Sequence, residues 1–426
     1  MKTLFKNFFI IFIINTQVTS YAMEITSSFN PVGAGARGEG LSAFTAIADD
    51  ATAGTWNPGG LIRQEELIEF SFGFRGLHRT ESHTMGDNPS ANIDHSVSDF
   101  NVNYIGLVST FEAFGRNMSF ALNYQHLYDF NRNWAFPYNE FQDRFIRKEN
   151  WHYEQTGSLS AIGLSYCIEL IKPSLSFGFT FNIWDNDISP NHWKQTYNMS
   201  GTRKLGNFHN NADYNKTENF YFDGINMNFG LMWSVNYKLS IGAILKTPFN
   251  ADVKHTIEGD SVDNETRNEK LKMPLSYGIG MFYKYSDQLY FSADLYKTHW
   301  DNFIYIDKNG NQTSPISEDD YSTSDIDPTH QVRLGVEYLK LNPNNQSAIP
   351  FRLGLFYDPS PEEKNPDDFW GISIGTGLIK NNIGSIDIAY IYRFGKNAAS
   401  STLKDLDFSQ DVYENMIYVS VISYFY

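Results

Sequence analysis

A chain of 426 residues with a net charge of −16 lacks the cationic surface that nucleic-acid phosphates require, so a nucleic-acid partner is excluded. Its only cysteine, Cys167, excludes an intramolecular disulfide and reads as a small apolar strand residue. The mean hydropathy of −0.40 is that of a polar chain, yet 26 Tyr, 34 Phe and 8 Trp are present; a barrel with a wet lumen and aromatic girdles at both membrane interfaces combines these properties.

The first segment reads as an export signal over residues 1–22. Lys2 and Lys6 precede a short apolar run from Phe8 to Ile14, and Ser20-Tyr21-Ala22 supplies a small-x-small cleavage site. That run is shorter than the about 20 residues a spanning helix needs. Residues 23–62 are rich in Gly, Ala, Ser and Thr and lack two-residue alternation. Helical turns are expected over 42–48, and Phe44 and Trp56 require burial, so the segment reads as a plug ahead of a barrel. Gly33-Ala34-Gly35-Ala36-Arg37-Gly38 has the spacing of a dinucleotide-binding loop but no βαβ unit around it.

From residue 63 onward the chain reads as barrel. Apolar and small or polar residues alternate in fourteen segments, about 65–78, 100–111, 117–130, 154–168, 174–185, 218–236, 238–257, 270–285, 288–305, 328–340, 350–358, 368–380, 384–395 and 411–426. Ser174 to Asn182 is among the cleanest, with Phe177, Phe179 and Phe181 on one face. Short connections alternate with long ones, which places turns in the periplasm, loops outside and both termini in the periplasm. The long connections 131–153 and 186–217 read as polar loops carrying aromatic residues, to cap the barrel or form a greasy entrance. The final segment ends in Tyr426, with Tyr418, Ile422 and Tyr424 on its face, like the assembly signal of outer-membrane barrels.

With the aromatic face outward, Lys246, Asp294, Arg333, Glu337, Arg352, Asp387 and Arg393 point inward. They form either a self-neutralising lattice or, at Lys246, Arg333 and Arg352, anchors for a ligand carboxylate. Gly371-Ile372-Ser373-Ile374-Gly375 matches a hydrolase nucleophile motif, but alternation runs straight through Ser373, which reads as lumen-facing. The histidines lack metal-ligand spacing, and neither a metal nor a cofactor is expected.

Three regions together resemble the FadL/TodX family of outer-membrane transporters for long-chain fatty acids and other hydrophobic compounds. They are Gly33 to Leu61, with Trp56-Asn57-Pro58-Gly59 like the family's Asn-Pro-Ala hatch motif; Leu239 to Phe303, with Lys246-Thr247-Pro248, Met273-Pro274 and Asp294-x-Tyr296; and Val332 to Tyr390, with Phe351-Arg352-Leu353-Gly354 and Phe356-Tyr357-Asp358-Pro359. Gly59 departs from the usual Ala. The resemblance implies an all-β fold, a fourteen-stranded antiparallel transmembrane barrel with an N-terminal hatch. It implies a monomer, in contact with outer-membrane lipid, for passive uptake of hydrophobic small molecules with lateral release. Asn57, Pro58 and Gly59, with Trp56 and Phe44, are the expected hatch element. The other readings are a barrel that holds partners in secretion or surface attachment, a barrel phospholipase, and an open porin.

Overall fold

The computed structural model describes residues 33–63, 67–86, 88–142, 145–260, 262–400 and 407–425; the expected signal segment and Tyr426 lie outside them. Among the described residues the strands are, in chain order, β1 (Ile68–Met85), β2 (Asp94–Ala113), β3 (Arg116–Asp129), β4 (Arg132–Gln142), β5 (Phe145–Ile171), β6 (Leu175–Trp184), β7 (Asn191–Leu205), β8 (Phe208–Ser234), β9 (Leu239–Lys246) and β10 (Phe249–Glu258). They continue with β11 (Glu265–Met273), β12 (Ser276–Lys284), β13 (Leu289–Thr298), β14 (Ile304–Ile306), β15 (Gln312–Thr313), β16 (Thr329–Asn342), β17 (Ser347–Tyr357), β18 (Phe369–Lys380), β19 (Gly384–Ala398) and β20 (Phe408–Phe425).

Fourteen of these are staves of one closed antiparallel cylinder: β1, β2, β3, β5, β6, β8, β9, β12, β13 and β16 to β20. Closure comes from β1, which pairs with β2 on one side and β20 on the other, Ile68 lying opposite Ser109 and Phe425. A closed ring is what lipid demands, because hydrocarbon cannot satisfy an open strand edge. The alternation sorts the side chains. On β17 the outward Ile349, Phe351, Leu353 and Leu355 are 38–50% exposed, whereas the inward Arg352 is 4% exposed. The outward residues of β17 mark an apolar band about 25 Å tall. Phe114, Tyr237 and Tyr285 stand exposed at the short turns below it, where rings anchor a barrel at the interface.

The C-terminal strand is phased oppositely to its expected signal face. Tyr418 and Ile422 are buried inside the lumen, and the lipid-facing set is Ile417, Val419, Val421 and Phe425. Strands expected over 238–257, 270–285 and 288–305 are each divided where the chain leaves the wall, at Thr247-Pro248, at Pro274-Leu275 and at His299.

The larger correction concerns the long connections. Residues 131–153 and 186–217 are not loops: they supply β4, β7 and the upper halves of β5 and β8, which carry the sheet well above the lipid band. On β5 the outward set is Leu164, Tyr166, Ile168 and Leu170 within the band and turns to Glu154, Asn150 and Lys148 above it. Pairing runs on without interruption through β4, β5, β7, β8, β10, β11, β14 and β15, forming a curtain over one side of the mouth. Pro137 is tolerated because β4 pairs only with β5 and leaves its other side unladdered among the described residues.

Part of the curtain is tied by a buried charge cluster. His255 is fully buried, with Nδ1 at 2.9 Å from Glu269 and Nε2 at 3.1 Å from Glu218, which also takes Lys216 at 2.9 Å. Phe220 stacks on the imidazole at 4.1 Å. Burial pulls the His255 pKa down, but hydrogen bonds and charge from Glu218 and Glu269 outweigh it and hold it above the ordinary value. A raised folded pKa stabilises fully below the unfolded value and ceases to as pH rises through the folded one. Two outcomes are expected. Amide hydrogen exchange in β10 and β11, corrected for intrinsic rate, accelerates as the pH rises above the ordinary histidine range, and His255→Gln removes that pH dependence. Leu353→Arg, placing a cation in mid-band, destabilises the barrel by about 2–4 kcal/mol in denaturant titration in lipid.

Candidate functional site

Residues 33–63 fold inside the cylinder. They comprise α1 (Ala36–Leu41), α2 (Ala53–Trp56) and a 3-10 turn over Pro58–Arg63; of the helical turns expected over 42–48 there is a single hydrogen-bonded turn, with Ala48 N donating to Phe44 O at 2.9 Å. Neither helix has a side-chain cap, and pieces of four and six residues are too short to hold themselves. The wall holds them. Asp294 of β13 accepts from Phe44 N at 2.8 Å, Thr45 N at 2.9 Å and Thr45 Oγ1 at 2.8 Å. Glu69 accepts from Ala51 N at 2.6 Å, and Asn103 bridges Gly33 O and Gly35 N. Ser176 and Thr180 donate to the carbonyls of Gly59 and Gly54, and Ser373 donates to Gly40 O at 2.8 Å and meets Ser42 Oγ at 2.9 Å. Ser373 is thus a lumen-facing contact of this segment, as its phase required.

Close approach of two backbones needs missing side chains. A Cβ added at Gly178 would overlap the Pro58 carbonyl, at Gly230 the Asn57 side chain, at Gly242 the Thr45 carbonyl and at Gly335 the Leu41 carbonyl. These glycines sit mid-strand, where glycine weakens a sheet and marks such an approach. They form a seat in the wall shaped to the hatch.

The expected hatch residues converge on that seat. Asn57 is fully buried; its amide donates to Thr45 O at 2.8 Å and to Leu231 O of β8 at 3.0 Å, and its Oδ1 accepts from Gly59 N at 3.1 Å. It therefore ties the hatch to itself and to the wall. Pro58 and Gly59 lie against β6 and β8. Phe44 and Trp56 meet edge to face at 5.8 Å, and Trp56 Nε1 donates to Ala34 O. Cys167 is buried on the same seat, its Sγ 3.5 Å from Gly59 O.

The three expected cations separate. Arg352 is paired twice, at 2.7 Å from Glu337 and 2.5 Å from Asp387, as a lattice member. Arg393 at 2.9 Å and Arg79 at 2.8 Å share Glu414, and Arg75 holds Asp129 at 2.8 Å in the same style. Arg333 lies over Phe356 and reaches Asp358 only at 3.6 Å. Lys246 has no ion pair among the described residues. Lys246 and Arg333 line one cavity of about 50 Å³ with Gly33, Trp56 and Tyr296. Lys246, Ser276 and Thr298 also line a second, of about 60 Å³, with Trp184, Phe249, Met273 and Trp300.

Just above these cavities, below the His255 cluster, the inner face of the curtain is apolar. Trp184 packs on Phe222 and Phe249, each at 5.8 Å, and Trp193 stacks on Phe220 at 4.7 Å. Leu127, Leu159, Val253, Leu271, Trp300 and Phe303 complete one buried cluster. None of these rings was an expected site residue; Trp193 lies in a stretch read as a loop, and the others lie in expected strand segments, where alternation gives a face but not a site. Each cavity holds about two waters, whereas a drug-sized ligand needs about 300 Å³ or more. Neither of these two cavities admits such a ligand in this conformation. One seam interrupts the wall. The β2–β3 ladder ends at Tyr104–Gln125, and β3 shifts register at His126/Tyr128. Above it β2 continues to Asp94 paired with β1, with no stave on its other side among the described residues.

The family described as outer membrane protein transport protein (OMPP1/FadL/TodX) matches residues 15–421. Among solved structures, a Pseudomonas aeruginosa FadL homologue superposes with a TM-score of 0.64 at 11% identity, covering 94% of this chain and all of that one. The Pseudomonas putida toluene transporter TodX gives 0.54 at 12% identity over 93% of this chain and 99% of that one. The Ralstonia pickettii toluene transporter TbuX gives 0.54 at 12%, over 92% and 99%. No curated protein matches the chain. With the closed barrel, the seated N-terminal segment and a family match over nearly the whole length, this chain belongs to the OMPP1/FadL/TodX family of bacterial outer-membrane transport proteins.

Proposed function

We propose that this chain carries hydrophobic small molecules, long-chain fatty acids or other compounds such as aromatic hydrocarbons, passively across the outer membrane. After removal of residues 1–22, the mature protein works as a monomer surrounded by outer-membrane lipid, with residues 23–62 as its hatch and 63–426 as its barrel. The observation that carries the reading is the column of buried rings around Trp184, Phe222, Phe249 and Trp300, which runs down to the cavities at Lys246 and the hatch. Apolar burial at about 25 cal/mol per Å² supplies the attraction.

A cargo opens the lumen only as far as it binds the open state better than the closed one. Here it gains ring contacts while pushing Phe44 and Trp56 aside, and the hatch leaves its glycine seat. The β2–β3 seam then offers a lateral exit into lipid, so the cargo never returns to water. Phe100, 70% exposed and stacked on Phe74, stands on the outer face of β2 at that level. Lys246 and Arg333 are positioned for a carboxylate head group if the cargo has one. No catalytic role is assigned to any residue.

Three outcomes test the reading. Deleting residues 33–60 leaves a heat-modifiable, folded barrel with raised single-channel conductance; failure to fold contradicts the hatch assignment. Asp294→Asn weakens hydrogen bonds that hold the hatch, each worth about 1–3 kcal/mol, and raises the leak of small apolar probes while the barrel stays folded. Lys246→Gln weakens saturable uptake of a fatty acid about tenfold and leaves uptake of a neutral hydrocarbon unchanged.

A further inference from the structure

Glu39 stands on α1 of the hatch and is 6% exposed. Its Oε1 is buried without a hydrogen-bond partner, and its carboxylate makes no ion pair among the described residues. The neighbouring carboxylates of the lumen are treated otherwise. Asp294 and Glu69 accept from hatch amides, and Glu337, Asp387 and Glu414 each hold an arginine. A carboxylate left bare in a buried place costs stability, so Glu39 calls for an explanation.

Its surroundings supply one. A Cβ added at Gly33 would fall on Glu39 Oε1, and Gly33 lines the cavity that Trp56, Lys246 and Arg333 share. The carboxylate therefore ends beside that cavity. Arg333 and Arg75 are the cations whose charge acts on it. Arg75 is committed to Asp129 at 2.8 Å, whereas Arg333 reaches only Asp358, at 3.6 Å. Lys246, on β9, stands close enough to feel the charge of Arg333, on β16. One small cavity thus gathers a carboxylate from the hatch and two cations from the wall, with no ion pair formed between hatch and wall there.

We propose that Glu39 is the resting counter-ion of Arg333 and that a cargo carboxylate displaces it, so that the hatch responds to the head group of the cargo as well as to its chain. This rests on the reading of the chain as a channel for hydrophobic molecules with a movable hatch. At rest, attraction between Glu39 and Arg333 adds to the hydrogen bonds that seat the hatch. A cargo carboxylate held by Arg333 and Lys246 cancels that attraction and faces Glu39 as a like charge. Two carboxylates in one buried site do not both stay ionised without cost. The one held by two cations keeps its charge, and departure of the hatch relieves the other. A neutral cargo of the same length gains the same ring contacts and leaves Glu39 with Arg333. Glu39 is therefore a specificity-determining residue, through its own charge and not through contact with the chain of the cargo.

Cys167 reports the position of the hatch, because it is buried on the seat with Sγ 3.5 Å from Gly59 O. The purified protein, at about pH 8 to disfavour protonated carboxylates, is saturated with hexadecanoate or with hexadecanol. The rate at which a small neutral thiol reagent modifies Cys167 is followed, and binding is measured by calorimetry. Hexadecanoate is expected to speed the modification about tenfold more than hexadecanol does. Glu39→Gln brings that ratio close to one while binding hexadecanoate at least as tightly as the wild type, and Glu39→Asp keeps most of the ratio. A hatch merely loosened by the substitution would label faster with both probes and keep the ratio, so an unchanged ratio in Glu39→Gln overturns the proposal, as does weakened hexadecanoate binding. Equal acceleration by the two probes in the wild type also overturns it and leaves the channel reading standing. No acceleration by either probe contradicts that reading, and the proposal falls with it.

Discussion

Backbone hydrogen bonding in hydrocarbon is the constraint on which this structure depends. No water reaches the middle of the bilayer, so each stave must spend its N–H and C=O groups on its neighbours and the ring must close, as β1 does by pairing with β20. Closure creates the functional problem. A fourteen-stranded ring encloses more space than its own side chains fill, and an outer membrane with an open hole of that size would leak. The lumen is closed by a segment of the same chain, whose polar groups are satisfied by the wall as a strand's are by its neighbour.

That segment is held in a way that permits release. Its polar contacts with the wall are hydrogen bonds through single side chains, such as Asp294, Glu69, Asn57 and Ser373, and backbone against glycine. Its apolar side chains, Phe44, Ile47, Trp56 and Leu61 among them, share one buried cluster with Tyr104, Val108 and Met232 of the wall, and the rings above it, Trp184 and Trp300, are the ones a greasy ligand would contact. The buried ion pairs belong to the staves. Arg352 of β17 holds Glu337 of β16 and Asp387 of β19, and Arg393 of β19 holds Glu414 of β20, so the wall is braced by contacts that do not involve the N-terminal segment. Breaking such a pair from one side costs about 3–5 kcal/mol, which marks them as framework.

Much of this was legible in the sequence, for a physical reason. Lipid on one side and lumen on the other impose a strict two-residue period, and every one of the fourteen expected segments overlaps a stave. Above the bilayer the outward residues face water, as in the polar outer face of β4 and β7, and Pro137 and the asparagines made those strands read as loops. The C-terminal strand misled because both of its faces carry rings, so Tyr418 and Ile422 could not be told from lipid-facing residues by type alone. At the site, Asn57, Pro58 and Gly59 were found through a family resemblance. The seat was marked by Gly178, Gly230, Gly242 and Gly335, glycines at mid-strand positions that a sheet does not favour. Asp294 was legible only as an inward charge, since nothing in one sequence says that its partners lie some 250 residues away.

Movement of the hatch off its seat is the central claim, and tethering it is the most direct test. Ser42 and Ser373 bring their hydroxyls to 2.9 Å across the hatch and β18. The pair S42C/S373C can close a disulfide there, and Cys167 is buried apart from it. Uptake of an apolar probe by the oxidised protein should stop and should return on reduction. Full-rate uptake with the tether closed would contradict the account.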